Sequence, residues 1–376
     1  LHSYANPAHE VRAGQIVAER YPDLAISLSS DVAPEIREFE RTSTVIANAY
    51  IKPLAEAYLE GLQAGLSGLG VTAPLLLMLS NGGLAGLGEA KRAPVALLES
   101  GPAAGALAAA WFGRAAAGGD VLAFDMGGTT AKLAVVDGGR PEVAYHFEAA
   151  REKRFAEGSG LPIRTSTIEL IEIGAGGGSI ASIDSLGQIR IGPHSAGSEP
   201  GPAAYDRGGE HPTVTDANLQ LGRLHPDNFG AKDIRLSPDK AAAAITAQVG
   251  DQLSMDALTA AIGIAEVVDE NMTNAARVHA VENGKDLTGF SMVAFGGGAP
   301  LHATRLMDKL GLDECIVPPG AGVGSAIGFL QAPFAYEAIR SLYTRIDEFD
   351  YAAVNTLLHD LTAEAETFVR QGTDAE

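Results

Sequence analysis

The chain has 376 residues, 46% hydrophobic and 20% charged, a globular composition whose length suits two or three structural units. Its 27 basic and 47 acidic residues leave a formal net charge of −20, which repels a phosphate backbone and argues against nucleic acid as a partner. The one cysteine, Cys315, excludes an internal disulfide and a thiolate-built zinc site, in keeping with a reducing cytoplasm.

The opening LHSYANPAHE has neither a basic n-region nor an apolar h-region, so a secretory signal is not expected. The start at Leu1 suggests a chain that begins inside a larger protein. Pro34 and Glu35 open a long helix over 34–66, with Ile36, Phe39, Ile46, Ala47, Tyr50 and Leu54 at three- and four-residue steps and a kink expected at Pro53. On that helix Arg37, Glu40, Arg41 and Thr44 read as a solvated ion-pair ladder. Leu75 to Leu79 is a short buried strand ended by Ser80-Asn81-Gly82-Gly83. Ser100 to Phe112 is a small-residue helix, too short to span a membrane, with Trp111 expected in the core.

Three strand–glycine units follow. Val121–Phe124 leads into Asp125-Met126-Gly127-Gly128-Thr129-Thr130 and a second strand, Ala131–Val136. Residues 168–183 repeat the pattern through Gly174-Ala175-Gly176-Gly177-Gly178-Ser179, and Ser291–Phe295 runs into Gly296-Gly297-Gly298-Ala299-Pro300 and a helix to Leu310. Between them, residues 192–217 lack periodicity and read as a long ordered loop or insertion, where His194, Ser195 and Asp206 offer a substrate or partner surface. Asp216 reads as a helix cap or a polar site group, the cap being simpler. Helices are expected over 238–249 and 254–282, and the tail 340–376 reads as a strand and an acidic helix.

No G-x-x-x-x-G-K-[ST], full G-x-G-x-x-G, G-x-S-x-G or H-x-x-x-H occurs, which argues against P-loop, dinucleotide-fold, nucleophile-elbow and zincin chemistry. A strand ending in Asp, followed by Gly-Gly-Thr-Thr and a second strand, has a different use. Its backbone N–H groups and hydroxyls can close on phosphate oxygens while the carboxylate holds Mg²⁺. A plain hairpin with a glycine bulge is the simpler alternative.

DMGGTTAKLAVVDGG (125–139) resembles the second phosphate hairpin of the actin-like, Hsp70-like and sugar-kinase ATPases. Glu99-Ser100-Gly101-Pro102 resembles their first connecting helix, whose glutamate faces the attacking water; a cap on that helix is the equal alternative reading of Glu99. FGGGAP (295–300) resembles their adenosine turn. More closely, the sequence resembles the hydantoinase A / 5-oxoprolinase family. The carriers are LHSYANP (1–7), SSDVAPEIREFERTSTVIANAY (29–50), LLESGPAAG (97–105), FDMGGTTAK (124–132), IEIGAGGGSIA (171–181), IGPHSAGSEPGPAAYDRGG (191–209), PTVTDANLQLGRL (212–224), FGGGAPLHA (295–303) and PPGAGVGSAIGFL (318–330).

The resemblance implies an α/β fold of actin-like ATPase (ribonuclease H-like) architecture, with mixed sheets flanked by helices. It implies ATP and Mg²⁺ as cofactors, and phosphorylation of a carbonyl oxygen of hydantoin, N-methylhydantoin or 5-oxoproline, so that the ring opens. A hydantoinase B-like partner would complete the reaction, in a cytoplasmic oligomer without nucleic acid or membrane. The alternatives are an acetone-type ketone carboxylase subunit and a non-catalytic assembly module. Carried over by position, Glu99 orients the nucleophile and Asp125 holds the metal. Gly127, Gly128, Thr129 and Thr130 hold phosphate, and Gly296, Gly297 and Gly298 pack on adenosine. Read from the residues themselves, Gly176 and Gly177 touch a ligand or form a plain tight turn, and His302 contacts ligand or solvent. The expected domains are 1–95, an interlobe remainder; 96–335, the nucleotide-binding lobe with an inserted loop near 192–217; and 336–376, the start of a C-terminal segment. Three departures stand out. The family's first phosphate hairpin lies upstream of this chain. Ile171 replaces a His of oxoprolinase-like relatives, and Gly-Gly-Gly-Ala replaces Gly-Gly-Ala-Gly before Pro-Leu-His.

Overall fold

The computed structural model describes residues 1–116, 118–149, 158–230 and 234–373. They form two compact units, one of Leu1–Ala104, Val143–Ile168 and Ala332–Glu376, the other of Gly105–Glu142 and Glu169–Gln331.

The first unit is built on α1 (Glu38–Gly68), which runs on through Pro53. It starts later than Pro34 and Glu35 suggest, because Arg37 sits at φ +91° and breaks the helical path. Its orientation also reverses the expected one. Arg41, Thr44 and Asn48 are buried, whereas Phe39, Ile46, Tyr50 and Leu54 are exposed, Tyr50 at 86%. The solvated ladder is therefore corrected. The Arg41 guanidinium, 1% exposed, donates to the Ala33 carbonyl, the Glu38 carboxylate and the Ser3 and Ser29 hydroxyls, and it lies over the Tyr4 ring. β1 (Leu76–Met78) pairs antiparallel with β2 (Leu84–Gly86) across the Ser80–Gly83 turn, where Asn81 Oδ1 accepts from the Gly83 N–H. The end of the chain returns here: Leu84 N–H donates to the Pro333 carbonyl, and the helix Tyr351–Thr373 stacks Phe368 on Tyr336. Among the described residues no strand forms near 340.

In the second unit β3 (Val121–Met126) lies at the middle of the main sheet. It pairs antiparallel with β4 (Ala131–Asp137), which pairs antiparallel with β5 (Ile171–Ile173). On its other side lies β6 (Ser291–Phe295), parallel, followed by β7 (Cys315–Ile316), also parallel. The spatial order is thus β5-β4-β3-β6-β7. The long helix α2 (Ala257–Glu282) buries Ala260, Ile264, Val268 and Met272 against Leu122, Phe124, Leu133 and Val135. Each large apolar side chain so buried contributes about 1.5–3 kcal/mol. The helix Ser100–Ala116 approaches closely through glycine, since a Cβ on Gly105 would stand 2.7 Å from the Phe295 ring and one on Gly113 2.6 Å from Val121. Trp111, expected in the core, is 38% exposed and meets Phe112 edge-on, because the small residues rather than the indole take the buried face.

Residues 192–217 are not all loop: the strand Ile189–Ser195 ends inside them, a short helical turn at Ala203–Tyr205 follows, and a helix begins at Val214. Asp216 is the N3 member of a capping box with Thr213 at the start of α3 (Val214–Gln220), and its Oδ1 accepts from the Ala204 N–H. The cap reading holds, and Asp216 also ties the loop to the helix.

Candidate phosphate-binding site

The sheet brings three loops together at one end. Asp125 is one residue from the end of β3, in register with Lys132 on β4 and with Phe295 on β6. The Gly127 N–H donates to the Thr130 carbonyl at 3.0 Å, closing the tight turn. Gly127, Gly128 and Thr129 are exposed, and a Cβ on either glycine would meet nothing within 4 Å. That turn therefore presents open backbone at the strand end, the geometry a phosphate needs.

The second loop supports this turn from behind. Gly177 N–H donates to the Gly127 carbonyl at 3.0 Å and Gly178 N–H to the Gly128 carbonyl at 2.7 Å. A Cβ on Gly176 would stand 2.5 Å from the Thr129 carbonyl carbon, and one on Gly177 2.9 Å from Thr215 Oγ1. Gly176 and Gly177 are thus placed against the Gly127–Thr129 backbone and the Thr215 hydroxyl, holding the turn in shape.

The third loop closes on the carboxylate. Gly296, at φ +87°, leaves room for Asp125, since a Cβ there would lie 2.4 Å from Asp125 Oδ1. Gly298 N–H donates to the Met126 carbonyl at 2.8 Å, while Gly297 faces open space. Burial pushes the Asp125 carboxyl above its usual range, opposed by the charge of Lys132 and by the Ser325 hydroxyl, 3.5 Å from Oδ2. A carboxylate kept partly dry and short of donors is one that a cation would stabilise. Among the described residues no cluster of three or more metal-ligating side chains occurs. One carboxylate beside an open phosphate turn nevertheless matches the way Mg²⁺ is held, by one or two carboxylates plus phosphate oxygens and water.

Glu99 belongs to the other unit, where it precedes the helix Ser100–Ala116 at φ +61° and its carbonyl accepts from the Ala103 N–H. His302 departs from its solvent reading and is fully buried one turn into α4 (Ala299–Leu310). Its Nδ1 lies 2.6 Å from Asp269 Oδ1 and its Nε2 3.0 Å from Asn218 Nδ2, while Arg223 donates to Asn218 Oδ1 at 3.2 Å. Arginine can only donate, which turns the Asn218 amide N–H toward Nε2 and leaves the ring proton on Nδ1, directed at Asp269. Sequence reading missed this chain and Ser325. The signal available was an acid, Asp269, between Val268 and Met272 on the apolar face of α2.

The hydantoinase/oxoprolinase family matches residues 41–338. An uncharacterized Methanocaldococcus jannaschii protein is 38% identical over 97% of this chain and 54% of its own length. Caprolactamase subunit alpha of Pseudomonas jessenii is 34% identical over 98% of this chain and 52% of its own. Among solved structures, the Pseudomonas jessenii ATP-dependent caprolactamase aligns with a TM-score of 0.81 at 34% identity, covering 98% of this chain and 52% of that one. Nucleotide-free acetone carboxylase aligns at 0.77 and 27% identity, covering 97% and 52%. The chain belongs to the hydantoinase/oxoprolinase family. It spans about half the length of the relatives it matches.

Proposed function

We propose that this chain carries a nucleotide-phosphate site of actin-like type in an ATP-dependent enzyme that opens a cyclic amide. The observation that carries the reading is the meeting of Asp125, the open Gly127–Thr129 turn and Gly296 at one end of a β5-β4-β3-β6-β7 sheet. Asp125 would hold Mg²⁺, while the N–H groups and hydroxyls of Gly127 to Thr130 would donate to phosphate oxygens. Gly296 to Gly298 would seat the nucleoside, with Gly176 and Gly177 bracing the turn. ATP supplies a phosphoryl group that makes a carbonyl oxygen a leaving group, which lowers the barrier to opening an unstrained lactam. A hydantoinase B-like partner would complete hydrolysis, and relatives named as subunits of caprolactamase and acetone carboxylase support a multi-subunit setting.

The likeness to acetone carboxylase supports a second reading, phosphorylation of a ketone's enol oxygen ahead of carboxylation. Both readings need the same phosphate site. Isothermal titration of Mg-ATP into the chain tests it, with Asp125→Ala alongside. Saturable binding that the substitution abolishes supports the site; binding unaffected by the substitution would place the nucleotide elsewhere.

A further inference from the structure

The first unit contains a cavity of about 440 Å³, within the size range of small-ligand pockets. Some of its polar walls are saturated. Arg92 donates to Glu89 and Asp31, and Glu364 accepts from both Tyr336 and Arg340.

Three groups on the same lining are not saturated. The Arg164 guanidinium stands 3.7 Å from Glu35 and 3.9 Å from Glu40, beyond hydrogen-bond reach, in a side chain 20% exposed. The Glu35 carboxylate, also 20% exposed, has that long ion pair and no hydrogen bond among the described residues. Ser166 Oγ is buried with no hydrogen-bond partner among the described residues. Open donors and acceptors in a wall that is at least half-buried are costly, and their presence on one lining points to a ligand that offers both an acceptor and a donor.

A guanidinium beside a carboxylate complements an amide whose C=O and N–H lie on the same edge. Peptide-like trans amides point them in opposite directions; small rings hold them cis. We propose that this cavity binds a small cyclic cis-amide, its carbonyl oxygen accepting from Arg164 and Ser166 and its ring N–H donating to Glu35. Burial raises the Glu35 carboxyl above its usual range against the pull of Arg164, as suits a group awaiting a donor. A ketone satisfies only the donor side and leaves Glu35 unpaired. The site therefore selects a lactam or cyclic imide over a ketone of equal size. The ligand class rests on the cyclic-amide reading above, but binding here requires no nucleotide.

The test is a titration of 2-piperidone into the chain without ATP, with N-methyl-2-piperidone and cyclohexanone as comparisons. Saturable micromolar-to-millimolar binding of 2-piperidone is expected, weakened at least about tenfold for either comparison compound. Arg164→Gln should weaken it about tenfold. Ser166→Ala, which removes a hydroxyl with no partner among the described residues and so spares the fold, should weaken it about threefold. No binding of 2-piperidone, equal binding of cyclohexanone, or binding unchanged in both variants would overturn the site. A parallel Mg-ATP titration of Arg164→Gln keeps the two readings separate, since nucleotide binding should persist in that variant.

Discussion

His302 and Asp269 form a fully buried pair in the second unit, with Asp269 Oδ2 lacking a hydrogen-bond partner among the described residues. His302→Ala removes the donor to Asp269 Oδ1, so a stability loss of about 3 kcal/mol is expected in urea unfolding. Asp269→Ala added to it should cost much less than its own single effect, a coupling of at least about 1 kcal/mol. Additive losses would mean the pair is not a unit. His279 gives a pH prediction. Burial lowers its pKa to about 4, so the fold holds the ring neutral. A folded pKa below the unfolded one means protonation favours the unfolded chain, and stability is lost as pH falls from about 6.5 toward 4, on the order of 3 kcal/mol in all. His279→Gln should flatten that slope in denaturant midpoints. Little of this was legible beforehand. Asp125, Gly127 and Gly296 could be placed by motif, but a histidine after a glycine turn carries no mark of burial until α2 and α3 supply its partners.

At the scale of elements, α1 shows why a period can be read correctly and a face wrongly. The three- and four-residue recurrence of Phe39, Ile46, Tyr50 and Leu54 did mark a helix, yet the polar stripe is the one that packs. Thr44 Oγ1 accepts from the Arg164 N–H, and Asn48 Oδ1 accepts from the Val95 N–H. These backbone groups fix the inner face, since a buried N–H must be paired. Thr44→Val and Asn48→Leu, each more apolar than the original, should therefore destabilise the chain by about 1–3 kcal/mol. Ile46→Lys and Leu54→Gln, on the apolar stripe, should change stability by less than about 0.5 kcal/mol. The opposite ranking in thermal or urea unfolding would restore the orientation the sequence implies. The glycine loops were more legible, because open backbone at a strand end is written in residue type. That Gly176 meets backbone rather than ligand space was not, since sequence does not tell which loop braces which.

For the whole molecule, the order of strands in the second unit follows from three glycine turns met in sequence, whereas the first unit is assembled from three distant segments. Such pairings, as between Leu84 and Pro333, leave no local trace. Net charge, by contrast, is legible from composition and has a consequence for ligand capture. A formal charge of −20 surrounds a site proposed for an anionic nucleotide. Long-range repulsion between like charges slows encounter, and salt screens it over a Debye length of about 10 Å at 0.1 M. Proteins that capture phosphates with basic surfaces lose association rate as salt is added. Here the reverse is expected: the association rate of a fluorescent Mg-ATP analogue, followed by stopped flow, should rise about two- to fivefold between about 20 and 200 mM NaCl. The dissociation rate should stay nearly constant, because the contacts at Asp125 and the Gly127–Thr130 turn are short-ranged. A rate that falls with salt would show that local positive charge, such as Lys132 in register with Asp125 on β4, outweighs the field of the whole chain.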